Sequence, residues 1–348
     1  MNSPPKKPWP SAMLPNTVLL ISTLAFGMLI LYCASCNNFG NSLPSLSRFS
    51  FLHRFNTSSS IDEPVHDEYY ELRKVLKAAS TKENTVILTY LNEAWAAPNS
   101  IFDIFLESFR IGNNTAYLLD HLLVVSVDVV AYNRCQTLVS HCYLLKSNAS
   151  STMAHQANFM TPLYLDMVWR RLAFLQTILT LEYNFLITDT DIVWFRNPFP
   201  HFTSDSDFQT SCDRFNGKQF DLKNFPNVGF MFVRSNNRTI KFYDFWVSSR
   251  HKYPHLHEQD AFNRIKHNPY FTQLGVKVRF LDTNHFSGFC SPSRDFNKVC
   301  TMHANCCVGL DRKIADLSTT LENWKSYISA NRTNLQHFKW SVPSKCHM

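Results

Sequence analysis

Glycine is scarce in this chain, at 8 of 348 residues, and only 18% of residues are charged. Against these stand 45% hydrophobic residues and many aromatics, 29 of them phenylalanine. That balance describes a globular protein, long enough for one large domain or two smaller ones. No internal repeat of solenoid period is visible. Outside Cys33-Ala34-Ser35-Cys36 no CxxC pattern occurs, which argues against a structural zinc site. The net charge of +7 is modest. It is compatible with an anionic small molecule and does not point to a nucleic-acid polymer.

Charge is missing altogether from Thr17 to Ala34 (TVLLISTLAFGMLILYCA). At helical rise such a run can span a thin bilayer. It follows a short polar head with Lys6 and Lys7, and Cys33-Ala34-Ser35-Cys36 makes a poor signal-peptidase site. The expectation is an uncleaved type II signal anchor at residues 17–35. A cytoplasmic tail (1–16) precedes it, and a luminal stem (36–80) and a catalytic domain (81–348) follow. The eight cysteines beyond the anchor (Cys135, Cys142, Cys212, Cys290, Cys300, Cys306, Cys307, Cys346) are compatible with four bridges in an oxidising compartment, Cys135–Cys142 being the first expected. Sequons at Asn56, Asn113, Asn148, Asn237 and Asn331 are about as frequent as chance provides and decide nothing.

Beyond the stem, strand-like and helix-like segments alternate. TVILT at Thr85–Thr89 is a short buried strand, and Pro98–Arg110 carries apolar residues at helical spacing up to Gly112. Leu122–Val127 is a second strand. Thr161 and Pro162 form an N-cap and first-turn proline ahead of about five helical turns. The strand FLIT (Phe185–Thr188) follows, then VGFMFV, two helices near 240–249 and 259–266, and VKVRFL. This alternation predicts an α/β fold with a mostly parallel sheet.

FLIT runs into Asp189-Thr190-Asp191 and then IVWFRNPF. Ligands of open α/β sheets bind beyond the carboxyl ends of the strands, where these aspartates fall. Two carboxylates on one face repel unless a cation or a set of donors lies between them. Mg²⁺ or Mn²⁺ accepts such carboxylates together with phosphate oxygens. A simpler reading has an aspartate turn capping the strand, with Arg196 supplying the partner charge. The aromatic exit IVWFRNPF is expected to wall the site and dry it.

The block YLDMVWRRLAFLQTILTLEYNFLITDTDIVWFRNPF closely resembles the plant nucleotide-diphospho-sugar transferase family, which includes rhamnogalacturonan xylosyltransferases and extensin arabinosyltransferases. The resemblance extends through TVILTYLNEAWAAPNS, NVGFMFVRSN, HEQDAFN and MHANCCVGLDRK, about residues 84 to 345. It implies a GT-A fold behind a Golgi anchor, a nucleotide-sugar donor and a glycan or glycoprotein acceptor. The implied activity is metal-dependent transfer with retention at the anomeric carbon, and complexes with other Golgi transferases would fit the setting. By similarity Asp191 ligates Mn²⁺ or Mg²⁺, Asp189 shares the metal or meets the ribose, and His303 completes the metal site. Lys313 is placed for the diphosphate. Thr89, Tyr90, Leu91 and Asn92 end the strand that seats base and ribose. Arg171, or its neighbour Arg170, reaches the donor, and Asn227 and Gly229 border the donor sugar. Gln259 and Asp260 are the residues for acceptor-side chemistry, Asp260 orienting the acceptor or acting as nucleophile or base. A lone first-turn aspartate is also favoured by the helix dipole.

Two other classes compete. A catalytically silent homologue that scaffolds other transferases would be expected to lose Asp191 or His303, and both are present. A metal-dependent phosphohydrolase would need further Asp/His clusters for a second metal, and none is found.

Overall fold

The computed structural model describes residues 69–145, 159–293, 295–330, 338–341 and 343–346. The expected tail and anchor, the stem up to residue 68 and the sequons at Asn56, Asn148 and Asn331 lie outside these residues. Among the described residues no helix is long and apolar enough to cross a membrane.

Helix α1 (Tyr70–Ala79) leads into strand β1 (Thr85–Leu91), the short helix α2 (Glu93–Ala96) and helix α3 (Ile101–Ile111). Next come β2 (Leu122–Ser126), α4 (Val129–Leu138), β3 (His141–Leu144), α5 (Pro162–Thr180) and β4 (Asn184–Thr188). Strands β5 (Ile192–Trp194), β6 (Phe208–Arg214) and β7 (Phe225–Val233) precede helices α6 (Asn237–Ser248), α7 (Glu258–Ile265) and α8 (Pro269–Leu274). The described order closes with β8 (Val278–Phe280), β9 (Phe286–Gly288), β10 (Thr301–His303) and α9 (Leu310–Ser329).

Seven strands form one sheet in the order β3-β2-β1-β4-β7-β6-β8. Neighbours run parallel except at β7, which is antiparallel to both β4 and β6. The fold is therefore α/β with a mostly parallel central sheet. Its strands read as continuous apolar runs because both faces are covered. On one face Val86, Leu88, Phe185 and Ile187 meet α1, α5, α6 and α7. On the other, Ile87, Leu91 and Leu186 meet α3 and α4. Helix α1 falls in the expected stem, yet it buries Leu72, Leu76 and Ala79 in the main core, so the compact unit starts before residue 81. A second sheet, β5-β10-β9, packs with α9 and α3 around Phe195, Met302 and Trp324.

Local signals explain the element ends that matter for the site. Thr161 Oγ1 accepts the Tyr164 N–H and caps α5, with Pro162 in its first turn. Asn92 caps α2 by accepting the Trp95 N–H. Bridges join Cys135–Cys142, Cys290–Cys306 and Cys307–Cys346. The fourth expected bridge is not formed: Cys212 lies in β6 of the large sheet and Cys300 at the edge of the small one, and both remain buried thiols.

Candidate active site

β4 ends at Thr188, so Asp189 and Asp191 sit on a turn beyond the strand rather than on its face. The Asp189 N–H donates to the Gly229 carbonyl, and the Ile192 N–H closes the turn on the Asp189 carbonyl. Thr190, between the two aspartates, donates to the Tyr90 carbonyl at the end of β1. Held this way, the two carboxylates face one cavity.

The third member arrives by strand pairing. β10 runs antiparallel to β5, and His303 lies opposite Ile192. This puts His303 Nε2 3.1 Å from Asp191 Oδ1 and 3.9 Å from Asp189 Oδ2. One ligating atom from each of the three residues falls within 4.8 Å of the others. Gly229 makes the convergence sterically feasible. A Cβ there would stand 2.5 Å from Asp189 Oδ2 and 2.7 Å from His303 Cε1.

Two cations attend the carboxylates. Arg171 of α5 donates to Asp189 Oδ1 at 2.5 Å and to Glu258 Oε1 at 2.6 Å. Lys313, in the first turns of α9, donates to Asp191 Oδ2. Burial favours the neutral form of Asp191, but Lys313 and His303 outweigh it and hold this carboxyl well below the usual range. Burial lifts the Asp189 carboxyl, with Arg171 opposing and Asp191 adding to the rise. Burial disfavours the His303 imidazolium, yet Asp191 and Asp189 raise its pKa above the ordinary value. His303 Nδ1 is buried without a hydrogen-bond partner. A mixed set of two carboxylates and one imidazole suits a divalent ion such as Mn²⁺, whereas Mg²⁺ prefers oxygen alone.

The triad lines a cavity of about 510 Å³ together with Tyr90, Asn92, Arg171, Asn227, Gly229, Gln259 and Lys313. The geometry thus gathers most of the residues singled out in the sequence. Two lie elsewhere. Thr89 is buried behind the turn and meets Thr190 Oγ1 at 3.3 Å. Asp260, in the first turn of α7, is half exposed, does not line the cavity, and contacts His257 Nε2 at 3.3 Å. The two neighbouring arginines both line the cavity, but Arg170 pairs with Asp166 and Arg171 reaches Asp189.

One alternative reading and one expectation need correction. Arg196 does not serve the aspartates: it donates to the Val299 carbonyl and lies over the Trp324 ring, so Arg171 and Lys313 supply the partner charges. The exit IVWFRNPF does not wall the cavity either. Ile192, Val193, Trp194 and Phe195 are core residues, and the cavity's aromatic lining comes from Tyr90, Trp95, Phe159 and Tyr164. β5 is enclosed between α3 and β10, which leaves its side chains no route to the cavity.

Sequence reasoning passed over Asp213, Glu258 and Asn305, all of which line the cavity. Asp213 is the next-to-last residue of β6, at the sheet edge that Asp189 occupies. β7 is antiparallel to both strands, so its start, with Asn227 and Gly229, reaches the same edge.

A cavity at the carboxyl edge of an α/β sheet, with a Asp-Asp-His triad and two flanking cations, is the layout of a site for an anionic, metal-bound ligand. A family model described as nucleotide-diphospho-sugar transferase matches residues 117–317, more than half of the chain. An uncharacterized protein of Arabidopsis thaliana is 47% identical over 282 residues, covering 80% of this chain and 74% of that one. The chain belongs to the nucleotide-diphospho-sugar transferase family and is a glycosyltransferase. A UDP-galactose:fucoside alpha-3-galactosyltransferase of Dictyostelium discoideum is 44% identical over 70 residues, 19% of this chain and 10% of that one. Among solved structures, mouse xyloside xylosyltransferase 1 in its apo form aligns at 17% identity over 64% of this chain and 98% of that one, with a TM-score of 0.39.

Proposed function

We propose that the protein is a GT-A enzyme that transfers a sugar from a UDP-linked donor to a cell-wall polysaccharide or glycoprotein, with retention at the anomeric carbon. It would work in the Golgi lumen behind the anchor at residues 17–35. The observation that carries this reading is the convergence of Asp189, Asp191 and His303 at one sheet edge, flanked by Arg171 and Lys313. The UDP class draws on the family and on the donor named for the Dictyostelium relative.

Asp189, Asp191 and His303 would hold Mn²⁺, with Mg²⁺ as second choice. A bound ion would supply charge neutralisation for the departing diphosphate. Lys313 then turns from Asp191 toward the diphosphate, which keeps its ammonium paired throughout. Arg171 fixes Asp189 and Glu258 relative to each other, so the carboxylates enter the reaction already oriented. Tyr90 and Asn92 receive the nucleoside at the end of β1, and Thr89 supports them through Thr190. Asn227 and Gly229 border the sugar. Gln259 faces the acceptor side of the cavity, and Asp260 acts there through His257, which lines the cavity and which it contacts.

The test is UDP release. The purified protein with Mn²⁺ and a panel of UDP-sugars is expected to release UDP slowly from one donor, and Asp191→Ala to abolish that release. No nucleotide binding and no release with any donor would overturn the enzyme reading in favour of a silent homologue.

A further inference from the structure

The two cations beside the carboxylates are held in different ways. Arg171 forks between two acids, Asp189 and Glu258. Among the described residues Lys313 pairs with one carboxylate, that of Asp191. Its other neighbour is aromatic: Lys313 Nζ stands 5.7 Å from the centroid of the Trp95 ring, inside the range of about 6 Å over which a ring face attracts an ammonium. Trp95 is fixed from several sides. It belongs to the short helix α2, whose start is fastened by Asn92 Oδ1, which accepts the Trp95 N–H, and by Asp128. Asp128 Oδ2 accepts the Glu93 N–H at 2.8 Å, and its Oδ1 accepts the Ala131 N–H at the head of α4. The indole packs against the apolar cluster beneath α3 and α4 and also against the one around Phe195 and Trp324. Part of it still lines the cavity.

From this arrangement we infer that Trp95 is a positioning residue for Lys313, its ring face keeping the ammonium beside the diphosphate position when Asp191 is engaged elsewhere. The inference rests on the reading given under Proposed function, in which Asp191 is a metal ligand and Lys313 serves the diphosphate. A carboxylate shared with a divalent ion attracts an ammonium less strongly, so the Asp191 contact weakens once the site is loaded. The attraction of the indole face comes from its own quadrupole and has no such competitor. It also acts at close to full strength here, because the Lys313 side chain is only 16% exposed and a desolvated cation–ring contact is stronger than an exposed one. A lysine stem is long and flexible, and holding it in one place costs side-chain entropy. An indole already fixed by two cores and a helix cap lowers that cost at the moment the ligand binds.

The other cation makes the contrast. Arg171 Cζ lies 6.0 Å from the Tyr90 ring, but two carboxylates already fix its guanidinium, so an aromatic neighbour adds less there. Lys313 has no second acid to hold it, and Trp95 takes that place.

A double-mutant cycle tests this, because a residue that stacks on the base or only packs the core would act independently of Lys313. The Kd of UDP with Mn²⁺ is measured by isothermal titration calorimetry for the full chain, Trp95→Phe, Trp95→Leu, Lys313→Met and the double variant Trp95→Leu/Lys313→Met, with urea midpoints alongside. Trp95→Leu is expected to bind UDP about fivefold or more weakly than the wild type, and Trp95→Phe, which keeps a ring face, to stay within about twofold. In the Lys313→Met background Trp95→Leu is expected to change the Kd by less than about twofold. An equal loss in both backgrounds would make Trp95 a base platform or a structural support and overturn the inference. Unchanged affinity in Trp95→Leu, a Trp95→Phe as weak as Trp95→Leu, or a Lys313→Met that binds UDP as tightly as the wild type would overturn it too. If Trp95→Leu loses its cooperative urea transition, Trp95→Met takes its place in the cycle. Failure of the wild type to bind UDP at all would instead sink the function on which the inference rests.

Discussion

At the scale of single residues the site is a problem of charge. Asp191 is 2% exposed at its side chain and is stabilised by Lys313 and His303 rather than by water. Replacing it with asparagine removes the anion that faces Lys313 and His303 and leaves Lys313 without its carboxylate. Asp191→Asn is expected to lower UDP release by about a hundredfold or more, in line with the loss of a principal electrostatic group, and a radiometric or coupled release assay checks this. Gly229→Ala is expected to be nearly as damaging although it replaces no charged group. Its methyl would push on Asp189 and His303, so Mn²⁺ affinity measured by electron paramagnetic resonance should fall while the far-UV circular dichroism stays native. An alanine variant with unchanged affinity would show that the three ligands do not need the space the glycine leaves.

At the scale of elements the chain uses strand pairing to join residues far apart in sequence. His303 reaches Asp191 because β10 lies against β5, and β5 is held from behind by α3. Trp194 anchors this junction: its ring stacks on Phe109 at 4.2 Å, its indole N–H donates to Thr188 Oγ1, and its backbone N–H donates to Ser108 Oγ. Trp194→Ala should cost about 3–5 kcal/mol, read as a lower urea midpoint, and should weaken metal binding because β5 loses its support. Loss of the N-cap in Thr161→Ala should cost about 1 kcal/mol and leave metal binding intact. What was legible in the sequence follows the same division. The cap at Thr161, the strand before DTD and the helix that begins within HEQ were readable because their signals are local. Asp189, Asp191, His303 and Lys313 could be singled out because each stands in a recognisable stretch. Asp213 and Asn305 could not, since a lone carboxylate and a lone amide gain meaning only when β6 and the chain after β10 meet. IVWFRNPF misled for a related reason. Aromatic residues beside an acidic pair suggest a wall, but the turn at Thr190 sends the following strand back into the core.

At the scale of the whole molecule, buried charge ties stability to pH. Burial brings the Lys266 ammonium down to about 8, against the opposing pull of Asp221, and its Nζ donates to the Asn224 carbonyl and to Asn263 Oδ1. Between that value and the ordinary lysine value of 10.5 the unfolded chain binds more protons at this residue than the folded one, so its contribution favours folding increasingly as pH rises. Urea midpoints from pH 7.5 to 10.5 should therefore climb for the wild type relative to Lys266→Met, and parallel curves would contradict a buried, destabilised ammonium. The bridges Cys290–Cys306 and Cys307–Cys346 secure the chain between His303 and Lys313 from both sides, which links the same global framework to the site.

The central claim is that Asp189, Asp191 and His303 act together as one metal-binding unit for a nucleotide sugar. Titrating Mn²⁺ into the wild type and His303→Ala in the presence of UDP tests it most directly, with bound metal read by electron paramagnetic resonance. One tight site in the wild type and at least about a tenfold weaker site in His303→Ala is the predicted result. Equal Mn²⁺ binding by the two proteins, with UDP release unchanged, would contradict it.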